Sequence, residues 1–426
     1  MPGTKNSLIN FLWALLKGFL VTSMGFGKRV ADSILFEGFS CSSVDEEIRA
    51  DVSRRTQVDS DLGALTARDY FCNQTEAERT YVNREDLESV PFKQVPFAPK
   101  VLTISVAAYN VATFLSEALE SCIVSNMDIL EVIIVDDGSL DESSAVAQRF
   151  VDEYPDTFKL VTKKNGGYGS TFNTSLELAQ GKYFRYLDGD DWFDKVILQK
   201  YLSLLQACET DVIYTPYNRV YEEDGHVELR ECLPEVAEGV HDIEAIAIPK
   251  PLAACSLAYR TSLLRDIGFT MSEHCFYTDV EYAYLPFAYS QTITICHDVL
   301  YCYRIGREGQ SVSVEGIKKN YQDIIRVCTR LLQTLMPNGK LCEAVGPKAY
   351  IRTVLAKEAG VVYTFLCIAG PEGTVMQDLI DFEHMLYGFP EVYNASATWC
   401  KKARLLRMTC FAAYPLICRF AAWKAR

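Results

Sequence analysis

The stretch KYFRYLDGDDW, residues 182–192, decides the architecture of this chain. Lys182–Leu187 is an aromatic, apolar run of strand length, and it ends abruptly in Asp188, Asp190 and Asp191 around Gly189. Carboxylates this close repel one another unless a cation compensates them, and a hard divalent ion takes such oxygen ligands together with substrate phosphates. Gly189 lets the backbone approach a ligand closely. In isolation the same residues read as an acidic loop capping the next helix, with Asp190 or Asp191 as N-cap. What precedes them favours the ligand.

Upstream, short apolar runs alternate with helical patterns. Val101–Ala107, Leu130–Val135 and Phe158–Thr162 read as strands, and Val111–Val124, Ser143–Tyr154 and Tyr168–Gln180 as helices. This alternation predicts an α/β fold of βαβ units around a mostly parallel sheet. Ligands of such sheets sit beyond the carboxyl ends of the strands. Asp136 and Asp137 follow the second strand and the Asp188 cluster follows the fourth, so both are expected at one crevice. Asp137-Gly138 is also an ordinary turn signature. NGGYGS, residues 165–170, turns into a helix and offers backbone N–H groups to an anion.

Downstream, helical periodicity dominates from about Ile317. The expected organisation is an apolar helical segment over 1–40, a linker or extension over 41–98, the α/β domain over 99–313, a helical extension over 314–395 and a basic amphipathic tail over 396–426. Leu8–Val21 falls short of the ~20 residues that span a bilayer, and a helix in the membrane interface or docked on the protein is the preferred reading. After Glu391 there is no acidic residue, whereas Lys401, Lys402, Arg404, Arg407, Arg419, Lys424 and Arg426 are basic. A cationic helix containing Leu, Phe, Tyr and Trp suits an anionic membrane surface; the alternative is a helix packed on the body with a solvated basic face. The net charge of -14 argues against general nucleic-acid binding. The 15 cysteines form no CxxC pair and read as reduced, mostly buried thiols.

Taken together, VAAYN (106–110), VDDGS (135–139), NGGYGSTFN (165–173), KYFRYLDGDDW and FYTDVEY (276–282) resemble the family 2 glycosyltransferases, over about Val101 to Ser313. The resemblance implies a GT-A fold, Rossmann-like, with a mostly parallel mixed sheet flanked by helices and here a helical C-terminal extension. It further implies inverting transfer of a sugar from a nucleoside-diphosphate donor, UDP-linked by expectation. The acceptor would be a glycan or lipid-linked carrier in cell-envelope polysaccharide synthesis, at the inner face of the cell membrane.

By resemblance, donor binding falls to Ala108, Tyr109, Asn110, Asp136, Asp137, Asn165, Gly166, Gly167 and Asp188, with the two VDDGS aspartates on base and ribose. Asp188 and Asp190 form the DxD pair for Mg²⁺ or Mn²⁺, Asp190 being the direct ligand. Asp279 is the candidate general base, with Thr278 standing where the family carries another acid and with Glu281 and Glu273 as rivals. Arg304, Arg307, Ser311 and Ser313 are candidates for the diphosphate; Arg304 reads equally as a salt-bridged arginine.

Two departures stand out: Phe172 precedes Asn173 where many relatives have Arg, and Ala107 replaces the usual Pro. Three other readings explain less. A haloacid-dehalogenase-like phosphatase shares the DxD, but Trp192 stands where it needs Thr or Val. A dinucleotide-binding protein would need G-x-G-x-x-G after the first strand. A catalytically silent nucleotide-sugar-binding scaffold would keep the fold without turnover.

Overall fold

A computed structural model describes residues 99–306, 313–334 and 348–424. The apolar segment at 8–21, the extension over 41–98, Arg307 and Ser311 lie outside the described residues. The first half alternates as β1 (Leu102–Ala108), α1 (Ala112–Glu120), β2 (Leu130–Asp136), α2 (Ser143–Glu153), β3 (Phe158–Thr162), α3 (Tyr168–Leu178) and β4 (Tyr183–Asp188). The expected elements are therefore present, displaced by a residue or two at their ends except that α1 stops at Glu120, four residues before the expected Val124. These four strands are mutually parallel, in the order β3-β2-β1-β4. All seven residues of β2 are buried, because the sheet is covered on both faces.

The sheet continues with β10 (Leu257–Arg260), β6 (Val212–Tyr214), β11 (Thr292–Ile295) and β9 (Gly239–Asp242), making eight strands. Strand β10 runs antiparallel to β4 and β6, which makes the sheet mixed. A second, four-stranded sheet is ordered β5 (Trp192–Phe193), β12 (Tyr301–Ile305), β7 (Tyr217–Tyr221) and β8 (Val227–Arg230). Between them run α4 (Lys195–Ala207), α5 (Thr261–Asp266) and α6 (Asp279–Tyr284). Asp194, not Asp190 or Asp191, caps α4: its carboxylate accepts from the Val196 and Ile197 N–H groups. The capping explanation of the acidic cluster is thereby removed.

Alternating strand residues divide between two cores, as the strand period of two requires. Tyr183 and Leu187 of β4 join one core with α1, α2 and α4. Phe184 and Tyr186 face the other, with Phe172, Phe269 and Tyr282. Phe172, where many relatives have Arg, is a core residue here, 1% exposed, with its ring 4.9 Å from that of Phe184.

The second core runs on without a break into the helical extension: α7 (Val314–Gln333), α8 (Lys348–Ala369), α9 (Val375–Tyr387), α10 (Pro390–Trp399), α11 (Lys401–Met408) and α12 (Tyr414–Lys424). The basic amphipathic stretch 396–426 is packed onto the helices before it. Helix α10 runs through the 395/396 boundary, and Leu405, Leu406, Tyr414 and Ile417 bury into the same core. Their apolar side chains are used in packing, so the docked-helix alternative describes α11 and α12. Arg407 is paired with Glu383 at 2.9 Å, and its guanidinium lies 3.6 Å from the Tyr393 ring centroid. Among the described residues no helix is long and apolar enough to cross a membrane. The described cysteines are all free thiols.

Candidate active site

The register brings the acidic strand ends level. Ala107 pairs with Asp188 on one side of β1, and Ala108 pairs with Asp136 on the other. Asp279, at the first turn of α6, joins them. Tyr168 feels the charges of Asp188, Asp279 and Asp191, and Tyr303 those of Asp188, Asp191, Asp279 and Asp190; burial first, then these charges, push both phenols up. The Asp188 and Asp279 charges thus both act on Tyr168 and on Tyr303, and that of Asp190 acts on Tyr303.

Within the acidic cluster the roles separate. Asp191 is buried at 1% exposure, accepting from the Tyr301 hydroxyl at 2.6 Å and from the Arg304 N–H at 2.8 Å. A phenol has one proton. Tyr301 makes its shorter contact, 2.6 Å, with Asp191 and its longer one, 3.3 Å, with Asp188. Burial and the neighbouring Asp190 charge lift the Asp188 carboxyl to about 7, against the Tyr168 and Tyr301 hydroxyls, while the Asp279 charge raises it further. A cation would relieve that repulsion. Among the described residues no group of three or more His, Cys, Asp or Glu side chains forms a metal cage. Asp188 and Asp190 fit the other mode, in which one or two carboxylates bind a hard cation whose remaining ligands are water and substrate phosphate.

Asp279 is accessible at the cleft surface yet hemmed in by protein. Burial moves its pKa up, opposed by the backbone N–H groups of Val280 and of Asp279 itself and by the Lys357 ammonium. Its rivals are otherwise engaged. Glu281 is fully buried and held by Arg330 at 2.6 Å and by the Ser272 N–H and hydroxyl, each at 2.7 Å. Glu273 accepts from Asn173 Nδ2 at 3.0 Å. The backbone just before Asp279 is unusual, His274 and Tyr277 having φ of 49° and 65°. Such strain in non-glycine residues gathers at functional sites.

Several donor candidates turn out to build the site. Asp137, 2% exposed, accepts from Lys163 Nζ at 2.8 Å, Gly166 N at 2.9 Å and Gly167 N at 2.8 Å. In this structure the Gly166 and Gly167 N–H groups and the Asp137 carboxylate are engaged with one another. Gly167 has φ +82°, and at Gly169 a Cβ would lie 2.0 Å from the Ser272 carbonyl oxygen. Only glycine allows α3 to approach the 272–275 segment that leads to Asp279. The Gly166 carbonyl then accepts from the His274 N–H at 2.7 Å.

Asp136 Oδ1 accepts from Ser139 N at 2.9 Å, closing the VDDGS turn. Asn110 links β1 to that turn, its Oδ1 accepting from Leu140 N at 2.8 Å and its N–H donating to Ser139 Oγ at 3.1 Å. Ala108 is buried, and its carbonyl accepts from Asp137 N. Tyr109 is 49% exposed beside these loops and Asn165 is exposed next to the glycines, so both remain placed to meet a ligand.

Arg304 takes the salt-bridged alternative. Its guanidinium bonds Glu117 and Glu222, donates from Nε to the Asp190 carbonyl at 2.7 Å, and stacks on Phe114 and Trp192. Enclosed this way it braces the acidic loop. Ser313 caps α7, accepting from Gly316 N at 3.1 Å. The sequence reading missed Tyr168, Tyr301 and Tyr303 as site residues, since a buried tyrosine in a motif reads as core. It also missed that α8 reaches the site through Lys357, whose charge acts on Asp279.

Residues 103–267 match the model of the family described as Glycosyl transferase family 2. Chondroitin synthase of Escherichia coli is 31% identical over 152 residues, 34% of this chain and 21% of that protein. The minor teichoic acid biosynthesis protein GgaB of Bacillus subtilis is 25% identical over 214 residues, 49% of this chain and 23% of that protein. The matches thus span about a fifth to a quarter of those relatives' own lengths. In structure, S. aureus TarS 1–349, solved in complex with UDP-GlcNAc, superposes with a TM-score of 0.53 at 17% identity, covering 76% of this chain and 91% of that one. It shares the fold, a large mostly parallel sheet flanked by helices. Residues 103–267 thus carry the glycosyl transferase family 2 match, set in a GT-A fold.

Proposed function

We propose that the enzyme transfers a sugar, with inversion and with divalent-metal dependence, from a UDP-linked donor to a hydroxyl of a glycan or lipid-linked acceptor in cell-envelope polymer synthesis. The observation that carries the reading is that the Asp188 and Asp279 charges both act on Tyr168 and Tyr303, with Asp190 acting on Tyr303 as well. Tyr109, Asn165 and the turn closed by Asp136 flank the donor's nucleoside, and Asp188 and Asp190 hold Mg²⁺ or Mn²⁺. When bound, the ion supplies Lewis-acid stabilisation of charge on the leaving diphosphate. Asp279 takes the proton of the attacking hydroxyl, and its raised pKa makes it a stronger base than an ordinary aspartate. Backside attack on the anomeric carbon then inverts it.

The UDP donor is supported by the UDP-GlcNAc complex of TarS, and the polymer setting by the names of GgaB and chondroitin synthase. Peripheral contact with the inner membrane face rests on the basic surface of α11, where Lys401, Arg404 and the 63%-exposed Met408 share one side with Trp399 nearby. Loss of co-sedimentation with anionic vesicles on changing Lys401 and Arg404 to Glu supports that contact; unchanged binding removes it.

The central test follows nucleoside-diphosphate release from a panel of nucleotide sugars with Mn²⁺ or Mg²⁺. Metal-dependent release from one donor, lost in Asp190→Ala, is the expected result. Silence with every donor, together with no donor binding by calorimetry, would turn the reading to a scaffold.

A further inference from the structure

Among the described residues four glutamates are buried, and three have conspicuous partners. Glu131 accepts from Thr103, Lys159 and the Gln180 N–H. Glu281 is held by Arg330 and Ser272, and Glu383 by Arg407 and Tyr363. Glu358, in the middle of α8 and 6% exposed, differs: among the described residues nothing donates a hydrogen bond to it. A carboxylate largely, though not wholly, withdrawn from water and lacking a donor from the protein is costly. The residues around it on α8, Val354, Leu355 and Val362, are buried and apolar, so the cost is not offset locally.

Its direction is fixed by the helix. Glu358 and Phe365 are seven residues apart, two turns on one face. Phe365 packs edge-on against Tyr277, centroids 5.0 Å apart, and Tyr277 lies two residues before Asp279. The face of α8 that carries Glu358 is therefore turned to the segment presenting the candidate base. Burial lifts the Glu358 carboxyl to about 7; the Asp279 charge adds to this and the Lys357 ammonium opposes it. Burial pushes up the Cys328 thiol of α7 and the Tyr350 phenol, and the Glu358 charge adds to both.

We infer that Glu358 is an acceptor-binding residue, whose oxygens receive hydrogen bonds from hydroxyls of a sugar or polyol acceptor adjacent to the hydroxyl that Asp279 deprotonates. The inference rests on the proposed transfer reaction and adds to it the contribution of the helical extension. A diphosphate would be repelled by Glu358, whereas a polyhydroxyl compound brings the donors that the residue lacks. A neutral acceptor with several hydroxyls is the chemistry that suits it.

The test compares the full chain with Glu358→Gln, which keeps the shape and removes the charge. Thermal melts are recorded from pH 5 to 8, UDP binding by calorimetry, and UDP release with water alone and with glycerol as probe acceptor. Because burial raises the folded-state pKa, the cost of the wild-type carboxylate is absent at low pH and grows as pH rises through about 7. Glu358→Gln should therefore melt a few degrees higher than wild type at pH 8, with the advantage fading toward pH 5. UDP binding and slow release to water should be retained, while release stimulated by glycerol falls about tenfold or more. A lower melting temperature at pH 8 would assign Glu358 a structural partner and overturn the inference. So would an equal response to glycerol in the two proteins, including none in either. Absence of UDP binding by the wild type strikes the donor reading instead, and the melts still decide whether Glu358 is held without a partner.

Discussion

Replacing Arg304 by lysine keeps the positive charge and removes the planar fork, which separates a brace from a phosphate ligand. In the structure the guanidinium serves five neighbours at once, Glu117, Glu222, the Asp190 carbonyl, Phe114 and Trp192. Its Nε donates to the Asp190 carbonyl at 2.7 Å, and a hydrogen bond to a charged group contributes about 1.5–3 kcal/mol. It also stacks between the rings of Phe114 and Trp192, at 4.9 and 4.7 Å, for about 0.5–1 kcal/mol each. The Glu117 side chain is 55% exposed, so that pair adds less than about 1 kcal/mol after solvent screening. A lysine can keep one carboxylate and part of one stack, leaving a loss of about 2–4 kcal/mol. Urea unfolding of Arg304→Lys should show that loss, and titration calorimetry should show weaker metal-dependent UDP binding as the Asp190 loop relaxes. Wild-type stability combined with reduced donor affinity would refute the reasoning and restore Arg304 as a diphosphate ligand.

Three further outcomes are expected. Asp279→Asn should lower sugar transfer about 10²–10⁴-fold, the range for a lost general base, with UDP affinity kept in calorimetry; undiminished turnover moves the base elsewhere. In wild type, kcat/KM should fall with decreasing pH through a value above the ordinary aspartate range of about 3.9, since burial raises the Asp279 pKa and only its deprotonated form accepts the proton. An acidic limb at the ordinary value would count against Asp279. Asp137→Ala should destabilise the protein by about 3 kcal/mol in chemical denaturation, because it strands the Lys163 ammonium and two glycine N–H groups; a neutral result would show that water replaces the clamp.

The βαβ half of the fold was legible because its strands are short and apolar and their acidic endings stand at predictable corners of a parallel sheet. Asp136 and Asp188 stand level on either side of β1, as the alternation implied. A motif names residue types but not where their hydrogen bonds go. Asp137 and the glycine N–H groups each suit a ligand, and the structure spends them on one another. Arg304 has a phosphate-binding fork, and Glu117 and Glu222, distant in sequence, occupy it. The C-terminal helices misled for a related reason. An apolar helix with basic residues looks the same whether its greasy side meets lipid or another helix, and the partner α8 lies some fifty residues earlier.

The core that runs from the sheet into the helical extension bears on how such enzymes can be recombined. Phe172, Phe184 and Tyr282 share one hydrophobic mass with Leu331, Leu366 and Ile417. A chimera joined at residue 313, to borrow a relative's C-terminal half, would cut that mass in two and leave a face of the nucleotide-binding sheet against a foreign surface. Exchange of acceptor preference within this lineage would then proceed by side-chain drift along α8 more readily than by module shuffling. A designer seeking a new acceptor should graft residues, not segments.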